Sequence, residues 1–224
     1  MPTVRKRAEK KSGRSTSSGG ARDGKTRENI LDATAQVLTR KGFSGTRLTD
    51  VAEVAGLQAP GIYYYFPSRE DLIEEVVRRG QVAAREHVTA ALQELPSTAT
   101  ALDRVTAAVE AHLRSVIELS DYTTAAIRNI GQLPAEIRSK LMKEQAEYGK
   151  VWQALFQDAA DAGYVTPGVD LFAARMLVIG AVNWVPEWWN ADRDDIDTVV
   201  TATRNMLLGV LAGGTPEPEP HATP

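Results

Sequence analysis

The chain has 224 residues, 43% of them hydrophobic and 25% charged, enough for a core in one large or two small domains. It has no cysteine, which excludes disulfides, thiol catalysis and thiolate metal sites and agrees with a reducing cytoplasm. The net charge of −3 hides a split: residues 1–66 carry 12 Lys/Arg against 6 Asp/Glu, and residues 67–224 carry 14 against 23. A basic first third on an acidic remainder fits a nucleic-acid-binding head on a body that repels nucleic acid. No apolar run reaches the ~18 residues needed to span a bilayer, and the polar, basic N-terminus lacks the apolar segment of a secretory signal.

Residues 1–24 are poor in apolar side chains and read as a disordered arm. Arg5, Lys6, Arg7, Lys10, Lys11 and Arg14 make it basic. Such an arm either solubilises the chain or adds phosphate and minor-groove contacts, and both readings stand. Gly19 to Thr26 satisfies the P-loop pattern, but that motif works only between a buried strand and a helix. The preceding Lys-Lys-Ser-Gly-Arg-Ser-Thr-Ser-Ser cannot be a buried strand, so nucleotide hydrolysis is rejected.

A first helix is predicted from about Thr26 to Lys41, with Ile30, Ala33, Val37 and Leu38 facing a core. Gly42 should end it and Phe43 fold back. Thr46 is a candidate N-cap for a second helix, on which Leu48, Val51, Ala52 and Ala55 form one apolar stripe. Gly56 then supplies a positive-φ turn, Leu57 plugs it, and a third helix starts near Ala59 or Pro60. Two short helices across a glycine turn, over about residues 46–66, make a helix-turn-helix whose second helix suits a major groove. Ser68 caps a fourth helix, with Glu70 and Asp71 in its first turn, Leu72, Ile73, Val76 and Val77 inward, and a break at Pro96. Further helices follow at about 98–119, 121–131, 135–162, 170–189 and 194–211; Pro186 should kink or end the eighth. Residues 213–224 read as a disordered tail. No strand-period alternation occurs, so the expected class is all-α, with about nine helices.

Chemistry-bearing residues cluster at the helix-turn-helix. Gln58, Ala59 and Gly61 occupy the start of its second helix: Gln58 can read adenine, Ala59 can touch a thymine methyl, and Gly61 leaves room for close backbone approach. Tyr63, Tyr64 and Tyr65 are consecutive, fan about 100° apart, and cannot all be core. Arg47 and Thr49 start the second helix and Arg69 the fourth; each suits a phosphate contact, against the alternative of solvated surface. His87, His112 and His221 are scattered without metal-ligand spacing, and the carboxylates sit at solvated helix positions. Neither a catalytic centre nor a metal or cofactor is called for. In the C-terminal helices Trp152, Asn183, Trp184 and Trp188, with Arg128 and Asn129, are candidates to line a ligand pocket; ordinary packing is the alternative for the tryptophans.

The run Thr46…Asp50-Val51-Ala52…Ala55-Gly56-Leu57…Gly61-Ile62-Tyr63…Phe66…Ser68-Arg69-Glu70-Asp71-Leu72 resembles the DNA-binding domain of tetracycline-repressor-type (TetR) regulators, over about residues 25–75. The resemblance implies that Tyr63 contacts phosphate through its hydroxyl and that Tyr64 lies on the DNA side. It implies that Tyr65, at a position often histidine in the family, packs towards the fourth helix or contacts phosphate. It also implies a body, residues 76–212, that binds an effector and forms a homodimer through helices eight and nine. The stretches Ile179–Trp189 and Ala126-Ile-Arg-Asn…Leu-Pro-Ala-Glu-Ile-Arg are similar to a branch regulating steroid and fatty-acid catabolism, several members of which respond to coenzyme A thioesters. The expectation is a cytoplasmic homodimeric repressor of a palindromic operator on double-stranded DNA, with no membrane partner, released by a small hydrophobic effector such as an acyl-CoA. The alternative keeps the DNA-binding head and makes the body a protein-interaction platform without a ligand.

Overall fold

A computed structural model describes residues 17–119, 121–193 and 195–211. The described residues form nine α-helices and no strand, as the missing period-2 pattern requires: α1 (Ser17–Gly45), α2 (Leu48–Ala55), α3 (Ala59–Ile62), α4 (Arg69–Gln93), α5 (Ala101–Arg114), α6 (Asp121–Asn129), α7 (Ala135–Asp161), α8 (Leu171–Trp188) and α9 (Ile196–Leu211). Most of the N-terminal arm with its basic tract, and all of the C-terminal tail, lie outside the described residues.

Helix α1 begins at Ser17, earlier than the expected Thr26, so residues 17–24 belong to it. Its helical geometry breaks at Gly42, at φ 69°, where glycine alone is unstrained. Thr46 does not cap α2. Its amide and its hydroxyl both donate to Gly42 O, at 3.1 and 2.8 Å, and Arg47 takes the N-cap position without a side-chain cap. Gly56 ends α2 at φ 67°, and the Leu57 amide closes the turn on Ala52 O at 2.8 Å. Ser68 accepts from the Asp71 amide at 3.0 Å, the expected cap of α4.

Helix α5 opens with a capping box between Thr100 and Asp103 and ends in a π-helical turn, Ser115–Leu119, where a single helix had been expected. A 3-10 turn, Ile130–Gln132, closes α6. Pro186 stands in the last turn of α8, two residues before its end.

Two apolar clusters hold the chain together. The first joins Ile30, Leu31 and Leu38 of α1 to Val51, Ile62, Leu72, Ile73 and Val76, and extends into Ala125 and Ala126 of α6 and Ile137 and Leu141 of α7. The second packs Val105, Val109 and Leu113 of α5 against Trp152, Leu155 and Phe156 of α7, Val178 and Val182 of α8 and Leu207 of α9. The largest contacts run from α6 to α4 and to α1, so α6 is wedged between the helix-turn-helix unit and the rest. At the α4–α6 crossing Gly80 is buried, and a β-carbon there would lie 2.7 Å from the Tyr122 carbonyl carbon and 2.8 Å from Ala126 Cβ. Only glycine lets the two backbones meet this closely.

Candidate functional site

The start of α3 is presented outward. Gln58 and Gly61 are exposed, and nothing lies within 4 Å of a β-carbon built on Gly61, so packing within the chain does not require glycine there. Ala59 is half-buried against the first cluster. Tyr63 and Tyr64 are 58% and 77% exposed, which sets their rings apart from the core that takes Ile62 and Phe66. Tyr65 instead packs on that core, edge-on to Tyr64 with ring centres 4.9 Å apart. Thr49 is exposed, and so is Arg47, which has no partner among the described residues, so its guanidinium is available to an anion.

Arg69 departs from the phosphate-contact expectation. Its Nε donates to Thr46 O at 2.6 Å, Nη2 to Phe43 O and Nη1 to Glu70 at 2.8 Å, and its guanidinium carbon lies 4.5 Å from the Phe43 ring centre. Residues 43–46 end in carbonyls that no helix satisfies, and Arg69 reaches back from α4 to supply the donors. It ties the α1–α2 corner to α4.

The body holds a cleft of about 230 Å³ between α4, α5, α6, α7 and α8. Trp152 and Asn183 line it, as the sequence suggested. Its polar centre is one the sequence reading passed over. His112, 3% exposed, has Nε2 2.9 Å from Asn183 Oδ1 and Nδ1 2.8 Å from the Tyr148 hydroxyl. Because the amide oxygen only accepts, Nε2 carries the proton, and Nδ1 accepts from Tyr148. Burial pushes the His112 pKa down to about 4, against the pull of the Asn183 bond, so the ring is neutral near pH 7. Burial likewise pushes the Tyr148 phenol up, and the nearby Trp152 indole acts in the opposite direction. One signal could have found His112: it sits seven residues after Val105, on the stripe shared with Val109.

The other pocket candidates lie elsewhere. Arg128 ion-pairs with Glu187 at 2.5 Å and donates to Pro186 O at 3.0 Å, clasping α6 to α8. Asn129 is buried, with its amide nitrogen on Ala125 O and Leu38 O at 2.9 and 3.4 Å. Both line a separate groove of about 610 Å³ between α1, α6 and α8, which also has Thr39, Arg40, Gln132 and Trp184 in its walls. Trp184 and Trp188 are 65% and 44% exposed on the outer face of α8, in a groove shared with Met206 of α9. Asn183 and Trp184 are neighbours about 100° apart on one helix; both border the groove beside α1, but only Asn183 reaches the cleft.

Among the described residues no group of three or more His, Asp or Glu could hold a metal, and no helix is long and apolar enough to cross a membrane.

Comparison with known proteins agrees with this architecture. The family described as "Bacterial regulatory proteins, tetR family" matches residues 30–76, and "Tetracyclin repressor-like, C-terminal domain" matches residues 98–211. The Fatty acid metabolism regulator protein of Bacillus subtilis is 21% identical over 187 residues, covering 83% of this chain and 93% of that protein. The HTH-type transcriptional repressor KstR2 of Rhodococcus jostii is 25% identical over 193 residues, covering 84% and 90%. A crystal structure of AibR in complex with isovaleryl coenzyme A and operator DNA superposes with a TM-score of 0.73 at 20% identity, covering 84% of this chain and 98% of that one. With one family pattern on the helix-turn-helix and another over half the chain, this protein belongs to the tetracycline-repressor (TetR) family of transcriptional regulators.

Proposed function

We propose that the chain is a cytoplasmic, ligand-responsive repressor. It binds a palindromic operator as a homodimer and lets go when a small hydrophobic effector of the acyl-CoA type fills the body cleft. Residues 25–75 are the reading head, and residues 76–212 bind the effector and the second subunit. Gln58, Ala59 and Gly61 face base edges, while Arg47, Thr49, Tyr63 and Tyr64 contact backbone phosphates.

The observation that carries this reading is the position of the cleft. Its walls include Gly80, Gln81 and Ala84 of α4 and Thr123 and Ala126 of α6, the two helices packed against the head. A ligand that prefers a wider spacing of these helices shifts the population towards a different separation of the two heads. Two recognition helices fit successive major grooves only at about 34 Å, so a small rotation is enough to lose the operator.

Dimerisation is supported by the outer face of α8 and α9, where Phe172, Leu177, Trp184 and Met206 are 47–75% exposed. An apolar surface of this kind marks an interface. The acyl-CoA class is supported by the relatives and by the apolar walls of the cleft. The neighbouring groove has the exposed Arg40 in its wall, a cation for the nucleotide end.

The test is operator binding by the purified dimer, with and without a panel of acyl-CoA thioesters. Release by at least one thioester, affinity falling steeply with salt, and a monomer on Leu177→Asp are expected. A footprint without dyad symmetry would refute the dimeric reading. A dimer that binds its operator but responds to no thioester, free acid or other small hydrophobe would favour the protein-interaction platform.

A further inference from the structure

The cleft is not a plain hydrocarbon slot. Thr123 and Trp152, 1% and 2% exposed, both line it, yet Thr123 Oγ1 and Trp152 Nε1 have no hydrogen-bond partner in the protein. Gln81 Oε1, on the α4 wall, is buried and equally unpartnered. A buried donor or acceptor left unmade is costly, and a site that carries several is built for a ligand that completes them. Trp152 can only donate, Gln81 Oε1 can only accept, and Thr123 can do both. At about 230 Å³ the space falls below the ~300 Å³ at the lower end for drug-sized ligands.

We infer that the cleft selects a short acyl chain bearing an oxygen function, a hydroxyl or a keto group beyond the carboxyl carbon, which Thr123, Trp152 and Gln81 recognise. This rests on the effector reading above and narrows it. A hydroxyl accepts from Trp152 and donates to Gln81, whereas a ketone accepts from Trp152 and Thr123. A thioester carbonyl does not replace this group. Ile127 and Asn183 line both the cleft and the outer groove, so a coenzyme A tail lying in that groove leaves the thioester at their level, with the chain running inward. A saturated chain of the same length strands the polar atoms, and a long chain does not fit.

The experiment is calorimetric titration of the full-length dimer with butyryl-CoA, 3-hydroxybutyryl-CoA, acetoacetyl-CoA and palmitoyl-CoA, and with free 3-hydroxybutyrate. The oxygenated thioesters are expected to bind on the order of tenfold tighter than butyryl-CoA, about one hydrogen bond's worth. Thr123→Val and Trp152→Phe should each shrink that ratio towards one, whatever they do to the affinity for butyryl-CoA itself. Equal affinities for the three short thioesters, or tightest binding of palmitoyl-CoA, would overturn the inference and leave the acyl-CoA reading standing. Binding of free 3-hydroxybutyrate but of no thioester would do the reverse. If none of the five binds, both fall.

Discussion

Gly80→Ala tests the contact through which the cleft reaches the head. The added methyl would lie 2.7 Å from the Tyr122 carbonyl carbon and 2.8 Å from Ala126 Cβ, where carbon atoms prefer about 3.5–4.0 Å, so α4 and α6 must part by about 1 Å. Two terms compete. Alanine favours the helix over glycine by about 0.8–1 kcal/mol. Overpacking costs typically about 1–3 kcal/mol, and here the upper half applies because the obstacle is backbone, which cannot rotate away. The net expectation is a loss of about 1–2 kcal/mol, which for a chain of this size lowers Tm by roughly 2–8 °C. Gly24→Ala, in α1 with nothing within 4 Å of its β-carbon, isolates the helix term and should gain stability. The head should respond as well, because Gly80 lies about 16 Å along α4 from Arg69 and a displaced crossing tilts the helix that carries the head. Differential scanning calorimetry and operator titration of both variants decide the matter. If Gly80→Ala melts at or above the parent temperature and binds operator with unchanged affinity, the crossing is looser than described and does not couple cleft to head.

Three further predictions follow from the site geometry. His112 has a folded pKa of about 4 against an ordinary 6.5, so the unfolded chain takes up the proton first as pH falls. Stability fully present above 6.5 is therefore lost on the way down to 4, by about 2 kcal/mol between about pH 7.5 and about pH 5. Urea denaturation at the two values should show that His112→Asn lacks this increment; an equal loss in both proteins would mean that His112 is not buried neutral. Arg69→Ala leaves Thr46 O and Phe43 O without a donor and should cost about 1–3 kcal/mol in folding; unchanged stability with a salt slope of operator binding lower by about 1 would return Arg69 to a phosphate role. Tyr63→Phe should weaken binding to every operator sequence alike, whereas Gln58→Ala should relax discrimination at one base position, by about 1–3 kcal/mol. Gel-shift titrations on a set of single-base operator variants separate the two, and identical behaviour would undo the division between phosphate and base contacts.

The helices, their breaks and the family were legible in the chain because they rest on local physics. Gly42 and Gly56 adopt the positive φ that a turn needs, Ser68 caps α4, and the apolar stripes of α1, α2 and α4 enter one core. These signals act within a few residues of each other, and the sequence prints them side by side. What the folded structure alone decided concerns partners far apart. Thr46 looked like a cap and instead binds Gly42 O, while Arg69, 23 residues further on, takes up the Thr46 carbonyl. Arg128 and Asn129 line the outer groove rather than the cleft, and they also clasp α6 to α8 and α1. His112 has no metal-ligand spacing along the chain, yet it meets Tyr148 and Asn183, 36 and 71 positions away, at the polar centre of the cleft. A helical period states which face of one helix is apolar. It does not state which other helix that face meets, and a pocket is made of such meetings.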